Sequence, residues 1–163
     1  MLIAALALAA EICPATPPPL PPVLAGWRQS GGSILAAHRA DDRRADPLPI
    51  GRRVEVKLLS EQSVEYDAPP NGKAPGREGG VLIVAVPTPG RYRIVLSAAA
   101  WIDLVGAGNA IASVGHGHGP DCSGIRKMVD FDLQAGRYTL QLSGAQAGTI
   151  GVMVTAAQGG ESH

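Results

Sequence analysis

The segment from His116 to Cys122 concentrates the side chains best suited to chemistry. It reads HGHGPDC, so it offers two imidazoles, the carboxylate of Asp121 and one thiol. Side chains at positions i and i+2 of a strand point to the same side, so His116 and His118 could present their imidazoles together. Two nitrogens and a carboxylate suit a divalent metal such as Zn²⁺, Cu²⁺, Ni²⁺ or Fe²⁺. The spacing predicts a metal site at His116, His118 and Asp121; the alternative is a solvated, glycine-rich turn.

Two other pairs of residues suggest that a small polar ligand binds. Arg126 and Lys127 follow a glycine turn, where a guanidinium, an ammonium and backbone amides can hold an anion such as a sugar acid or phosphate. Trp101 and Asp103 offer an indole face for a pyranose ring and a carboxylate for its hydroxyls. The alternatives are an exposed basic turn and a tryptophan in the core. The sequence has no Ser-His-Asp order, nucleophile elbow or phosphate loop, so no catalytic residues are predicted.

Cys13 and Cys122 are the only cysteines of the chain. Two cysteines in an exported protein are expected to pair, so the sequence predicts a disulfide between them. The alternatives are two free thiols, or Cys122 as a metal ligand.

The N-terminus carries a further signal of export. Residues 2–10 read LIAALALAA, an apolar run typical of a signal peptide. As a helix this run would span about 14 Å, too short for a bilayer core of about 30 Å. The sequence therefore predicts a periplasmic or secreted protein that does not span the membrane after signal removal. The alternative is an apolar N-terminal helix or strand.

The composition excludes several classes of protein. The 163 residues, with a mass of 16.7 kDa, fit one domain. Fourteen basic residues balance fourteen acidic ones, whereas a nucleic-acid binder usually carries a basic surplus, so no nucleic-acid partner is expected. Apolar residues make up 45% of the chain, which is more than a disordered protein contains.

The elements that must position these side chains are short strands. From Arg52 to Val154, apolar and polar residues alternate in short runs between turns rich in glycine and proline. Two of the runs fall at Val64 and Tyr66 and at residues 111–114. Residues 81–86 (VLIVAV) are instead continuously apolar, which is consistent with a central strand. The pattern predicts an all-β fold, an antiparallel, jelly-roll-like β-sandwich of about eight or nine short strands.

The region before the strands is different. Five of the six residues at 17–22 are proline, which predicts an extended arm, and Trp27 could pin the end of that arm to the core. Residues 33–46 predict the only helix of the chain, or else an irregular loop. The predicted organisation is a signal-peptide-like segment at 1–10, a Pro-rich arm and polar linker at 11–50, the β-sandwich domain at 51–157 and a disordered tail at 158–163.

An internal repeat supports the sandwich. Residues 90–97 read GRYRIVLS and residues 136–143 read GRYTLQLS. Each copy follows an apolar run and a short turn. The repeat predicts two related hairpins whose tyrosine rings, at Tyr92 and Tyr138, point inward.

Two resemblances extend this interpretation. The pattern of apolar strand, turn, Gly-x-Tyr and alternating aliphatics, over about residues 81–155, resembles the pre-peptidase C-terminal type of jelly-roll β-sandwich. That resemblance implies secretion, contact with carbohydrate or protein, and no catalysis. The blocks WIDLV and HGHGPDCSGIRKMVDF are similar to blocks of short exported bacterial proteins sometimes labelled homogentisate 1,2-dioxygenase. The second resemblance implies a cupin-like, metal-dependent dioxygenase that uses His116 and His118.

The sequence therefore predicts an exported, non-catalytic binding or accessory module. Its expected partner is a small polar ligand or a component of the cell envelope, with a divalent metal as a possible cofactor at the His116–Cys122 turn. The alternative, from another class, is the metal-dependent dioxygenase.

Overall fold

A computed structural model describes residues 12–41 and 46–157 of the chain. Within these ranges eleven strands form two facing sheets, so the predicted all-β sandwich is confirmed. The predicted signal segment at 1–10 and the predicted tail at 158–163 lie outside the described residues. The strands are β1 (Ser30–Leu35), β2 (Arg53–Lys57), β3 (Leu59–Ser60), β4 (Glu78–Val86), β5 (Gly90–Leu96), β6 (Trp101–Gly106), β7 (Asn109–Ala110), β8 (Gly115–Gly117), β9 (Lys127–Leu133), β10 (Gly136–Ala145) and β11 (Thr149–Ala157).

The strands are divided between a six-stranded and a five-stranded sheet. The first has the order β1-β2-β11-β5-β9-β8 and the second the order β3-β4-β10-β6-β7. All of these neighbours pair antiparallel except β1 and β2. Four of the strands were not predicted: β1, and the strands β3, β7 and β8, which contain only two or three residues each. Strands this short are too brief for an alternating pattern to appear in the sequence.

One large apolar core fills the space between the sheets. Alternate residues of each strand face inward, which buries long aliphatic side chains from both sheets. Fully buried examples are Val84, Ile94, Leu104, Leu140 and Val154. Because each such side chain contributes roughly 1.5–3 kcal/mol on burial, this core is the main force that holds the two sheets together.

The N-terminal arm covers part of the outer face of the six-stranded sheet. A short 3₁₀ helix, Pro22–Arg28, buries Leu24 and Trp27. The two side chains form a second apolar cluster, together with Val95, Ile125 and Met153. The disulfide between Cys13 and Cys122, predicted from the sequence, joins this arm to the sandwich, with the two Cα atoms 5.5 Å apart.

The helix predicted over residues 33–46 is wrong in the described part of that range. Ser30–Leu35 instead forms β1, which runs parallel to β2 with Ser33 opposite Glu55. The backbone of Ala37 then exchanges two hydrogen bonds with Val81 of the other sheet. These long-range backbone bonds outweigh the weak local helix signal, and the six-stranded sheet therefore begins upstream of residue 51.

Two of the predicted strands are also wrong. Val64 follows a second 3₁₀ helix, Glu61–Ser63, and residues 64–66 form an irregular segment. Residues 111–114 connect β7 to β8 and so pass from one sheet to the other. The amide of Ile111 donates to Leu104 of the five-stranded sheet, whereas the amide of Val114 donates to Asp130 of the six-stranded sheet. A segment whose hydrogen bonds are divided between two sheets cannot continue as one strand.

The two copies of the internal repeat form β5 and most of β10, and each follows an arch between the sheets, so they are not the predicted hairpins. The arch at 87–89 connects β4 to β5 and the arch at 134–135 connects β9 to β10, so each arch passes from one sheet to the other. The arches stack on one another, because β4 pairs with β10 and β5 pairs with β9. The hydroxyls of Tyr92 and Tyr138 donate to the carbonyls of Thr88 and Gln134, each at 2.8 Å. Each tyrosine therefore fixes its own corner by the same bond to the residue four positions earlier.

Candidate ligand-binding site

A cavity of about 250 Å³ lies beside the edge where residues 111–114 join the two sheets. Its walls combine the apolar side chains of Ile102, Ile111, Val129 and Phe131 with Asn71, Trp101, Asp103, His116 and Lys127. An apolar cavity with a few converging polar groups is the usual form of a small-molecule site. Three larger depressions, of about 340, 420 and 490 Å³, are more open to solvent.

Strand periodicity explains how the polar groups reach this cavity. Trp101 and Asp103 are two positions apart on β6 and therefore share a face. Lys127, the first residue of β9, shares its face with Val129 and Phe131 in the same way. Val129 and Phe131 belong to the main core, so Lys127 lies on the same inner face of the sheet, at the first position of β9.

The side chain of Asp103 is held in the wall of the cavity by two hydrogen bonds. It is 5% exposed, and both of its carboxylate oxygens accept hydrogen bonds. Oδ1 accepts from the indole Nε1 of Trp101 at 3.2 Å, and Oδ2 accepts from the backbone amide of Asn71 at 3.1 Å. Gly72 packs directly against the indole, since a Cβ built on it would lie 2.3 Å from the ring. The loop that carries Asn71 and Gly72 and the strand β6 are therefore joined through this one buried carboxylate.

Lys127 is the cation of the cavity. Its Nζ donates to the carbonyl of Ala100 at 2.9 Å and lies 4.9 Å from the centre of the Trp101 ring. Partial burial lowers the pKa of Lys127; the charge of Asp103 opposes this effect and the charge of Arg126 adds to it. Its direct contacts are thus a neutral carbonyl and a neutral ring, and no carboxylate among the described residues forms an ion pair with it.

Asp130 and Asp132, the two acidic residues of β9, do not pair with Lys127, because arginines of β5 engage them. Asp130 forms two hydrogen bonds with Arg93, at 2.7 and 2.9 Å, on the outer face of the sheet. Asp132 forms a similar pair with Arg91, at 2.8 and 3.1 Å, which lowers the pKa of Asp132. These two aspartates therefore form ion pairs with Arg93 and Arg91 and not with Lys127.

The structure brings together four of the seven predicted ligand or metal residues. Trp101, Asp103 and Lys127 line the cavity together with His116 of β8. His118 has other surroundings, with its Nδ1 3.0 Å from the carbonyl oxygen of Arg126 and 3.2 Å from the Nη1 of the same residue. His118, Asp121 and Arg126 are exposed and do not line this cavity.

Several cavity residues were missed at the level of sequence. Asn71 and Gly72 lie in the loop rich in proline and glycine, and no local pattern indicates which strand that loop covers. Ile111 lies in the connection between sheets, where its apolar character suggested only a strand. Phe131 could have been found, since it shares the period-two face of β9 with Lys127.

The disulfide bears directly on the metal hypothesis. Cys122 is bonded to Cys13, so it does not supply a thiolate ligand. Within residues 12–41 and 46–157, no group of three or more His, Cys, Asp or Glu side chains is arranged to hold a metal ion. The metal site at His116, His118 and Asp121 and the dioxygenase alternative both stay predictions.

Comparison with known proteins adds no family to this description. No protein-family model matches the chain, and a search of curated proteins finds no significant match.

Proposed function

We propose that the chain is an exported, non-catalytic binding module whose cavity takes a small carboxylate with a ring or other compact apolar body. In this proposal the ammonium of Lys127 holds the carboxylate, and Ile111, Val129 and Phe131 contact the apolar body. A sugar acid and an aromatic acid are the two chemical forms of such a ligand. Asp103 keeps Trp101 in place and does not contact the ligand directly.

The observation that carries the proposal is the set of contacts around Lys127. Lys127 is a half-buried ammonium whose direct contacts, the carbonyl of Ala100 and the ring of Trp101, are neutral, so it can still form an ion pair with a bound anion. The charge of Asp103 weakens this attraction, but Asp103 is hydrogen-bonded to Trp101 and Asn71 and not to Lys127. A carboxylate at this nitrogen would form a charge-assisted hydrogen bond, worth about 1.5–3 kcal/mol. We expect the anion to carry an apolar group, because an inorganic ion would leave the apolar wall of the cavity in contact with water.

Two further findings are compatible with export. The disulfide is of the kind that persists in oxidising compartments. No helix in the described part of the chain is long and apolar enough to cross a bilayer. Both findings fit a periplasmic or secreted protein, and the signal-peptide prediction for residues 1–10 supports the same location.

Titration calorimetry with matched ligands tests the proposal. Galacturonate and benzoate are compared with galactose and benzyl alcohol, which lack the carboxylate. We expect at least one carboxylate to bind and its neutral counterpart to bind much more weakly. Lys127→Met should reduce the affinity by about tenfold or more, because the charge-assisted bond is lost. Lys57→Met is the control, since Lys57 is exposed on β2. Binding that is equally strong in the Lys127→Met variant would refute the proposal.

The same titration should depend on pH in a defined direction. Carboxylate binding needs the protonated amine, so affinity should fall as the pH rises through the pKa of Lys127. Because burial lowers that pKa, the fall should begin below the range near 10.4 that is typical of an exposed lysine. A pH-independent affinity up to pH 10 would contradict the assignment of the ammonium as the binding group.

The metal-dependent dioxygenase is the rival function, and metal analysis of protein purified without an affinity tag distinguishes the two. The binding module is expected to contain no stoichiometric metal. A stoichiometric metal that disappears in the His116→Ala/His118→Ala double variant would favour the rival instead. Adding Zn²⁺, Cu²⁺ or Fe²⁺ to the protein during the same analysis shows whether an exchangeable site exists.

A further inference from the structure

We propose that the amine of Lys127 also captures small aldehydes covalently, by forming an imine with an aldehyde that occupies the same cavity. This inference uses the cavity of the proposed function but does not rest on carboxylate binding. Imine formation needs a neutral amine, a cavity that admits the aldehyde, and contacts that hold its body near the nitrogen. The surroundings of Lys127 meet each of these needs.

The position of Lys127 distinguishes it from the other lysines of the chain. The sequence contains three, and the other two, Lys57 and Lys73, are exposed. Lys127 is half-buried, and it lies at the wall of the 250 Å³ cavity. It is the lysine that a small molecule would meet in this cavity, beside the apolar side chains of Val129 and Phe131.

The contacts of Lys127 favour the neutral amine more than those of a surface lysine. Removal from water disfavours the ammonium, and the positive charge of Arg126 acts in the same direction. The negative charge of Asp103 opposes both effects more strongly than Arg126 supports them, but burial is the largest effect and the pKa of Lys127 remains lowered. Desolvation in an apolar pocket and a neighbouring cation are the two conditions under which lysines act as nucleophiles in proteins.

The chemical step balances without any oxidant or reductant. The lone pair of Nζ attacks the aldehyde carbon and a C–N bond forms. Both N–H protons are transferred, through the solvent, to the carbonyl oxygen, the C–O bond breaks, and the oxygen leaves as water. The product is an imine, and hydrolysis returns the aldehyde and the free amine. The apolar walls at Val129 and Phe131 favour an aldehyde with a compact ring over a very small, fully hydrated one.

Selective labelling of the full chain tests this inference. The protein is incubated with benzaldehyde, sodium cyanoborohydride is added to reduce the imine to a stable amine, and peptide mass analysis gives the occupancy at each lysine. We expect Lys127 to be modified faster than Lys57 and Lys73 at pH 7–8, because burial leaves more of its amine neutral and the cavity holds the aldehyde near the nitrogen. In denaturant the three lysines should react at similar rates. Equal rates in the folded protein would overturn the inference.

The outcomes of this experiment are separate from those of the calorimetric test. Fast labelling of Lys127 in a protein that binds no carboxylate would support the imine and reject the proposed function. Carboxylate binding with no preferential labelling would support the proposed function and reject the imine. If both hold, the bound carboxylate should slow the labelling of Lys127 and leave the rates at Lys57 and Lys73 unchanged.

Discussion

Removal of the disulfide is expected to cost about 2–5 kcal/mol of the free energy of unfolding, the range typical of a native disulfide in a small exported domain. The bond joins residues 109 positions apart, so it strongly restricts the unfolded chain. A polymer estimate for a loop of that length is about 4–5 kcal/mol, and residual structure in the unfolded state reduces the measured value. The double variant Cys13→Ser/Cys122→Ser is the direct test, measured by denaturant unfolding with tryptophan fluorescence as the signal.

Reduction of the wild-type protein provides the matched control for this variant. A reducing agent should lower the unfolding midpoint of the wild type to that of the double variant and leave the variant itself unchanged. Cys13 precedes the 3₁₀ helix of the arm and Cys122 lies in the turn before β9, so the bond keeps the arm close to the sandwich. A variant as stable as the oxidised wild type would show that the arm does not need this cross-link.

Trp27→Ala is the second variant with a large expected effect, a loss of about 3–5 kcal/mol. Trp27 is 2% exposed and packs in the second apolar cluster on the outer face of the six-stranded sheet. Its Nε1 donates to the carbonyl of Ser123 at 3.1 Å, and the guanidinium of Arg53 lies 4.4 Å from its ring. Truncation would leave a cavity, an unpaired carbonyl and an Arg53 side chain without its aromatic partner.

Two comparisons separate the contributions to this loss. Trp27→Phe keeps much of the apolar contact and removes the hydrogen bond to Ser123, so it should cost about 1–2 kcal/mol. Trp101→Ala, at a half-buried tryptophan, should cost less than Trp27→Ala. If Trp27→Ala changed the unfolding free energy by less than 1 kcal/mol, the arm would not belong to the cooperative unit.

The two perturbations should also interact. Trp27 bonds to Ser123, which follows Cys122 directly, so both residues hold the arm to the same turn. Once the disulfide is removed, the arm is held less firmly and Trp27 has less native contact to lose. The combined variant is therefore expected to lose less free energy than the sum of the two separate losses.

The arm is a part of the molecule whose role the sequence indicated only in outline. Prolines and Trp27 suggested an extended segment pinned to the core, and the cysteines suggested a bond. The burial of Leu24 and Trp27 against Val95 and Met153 depends on which residues of β5 and β11 face outward. The period-two pattern does not show this, because Val95 and Met153 are isolated apolar residues on faces that otherwise carry mostly polar residues or glycine.

The candidate site, like the arm, could be predicted only in part from local sequence. Alternation placed Trp101 and Asp103 on one face of a strand, and the residue types indicated an aromatic platform and a basic turn. The convergence of Trp101, Lys127 and His116 on one cavity required the packing of β6 against β8 and β9. Likewise, the spacing of His116 and His118 indicated a shared site, whereas their surroundings in the folded chain differ.

The sequence by itself determined the all-β class, the two layers and the bonded cysteines, because alternating burial and cysteine pairing leave their mark in residue type and order. The tertiary structure alone decided that the turns before the two repeats connect one sheet to the other, that residues 30–35 form a strand, and that the loop at Asn71 covers Trp101. Each of these depends on backbone hydrogen bonds and contacts between residues far apart in the chain. Such partners are chosen by the folded arrangement as a whole, and a short stretch of sequence does not identify them.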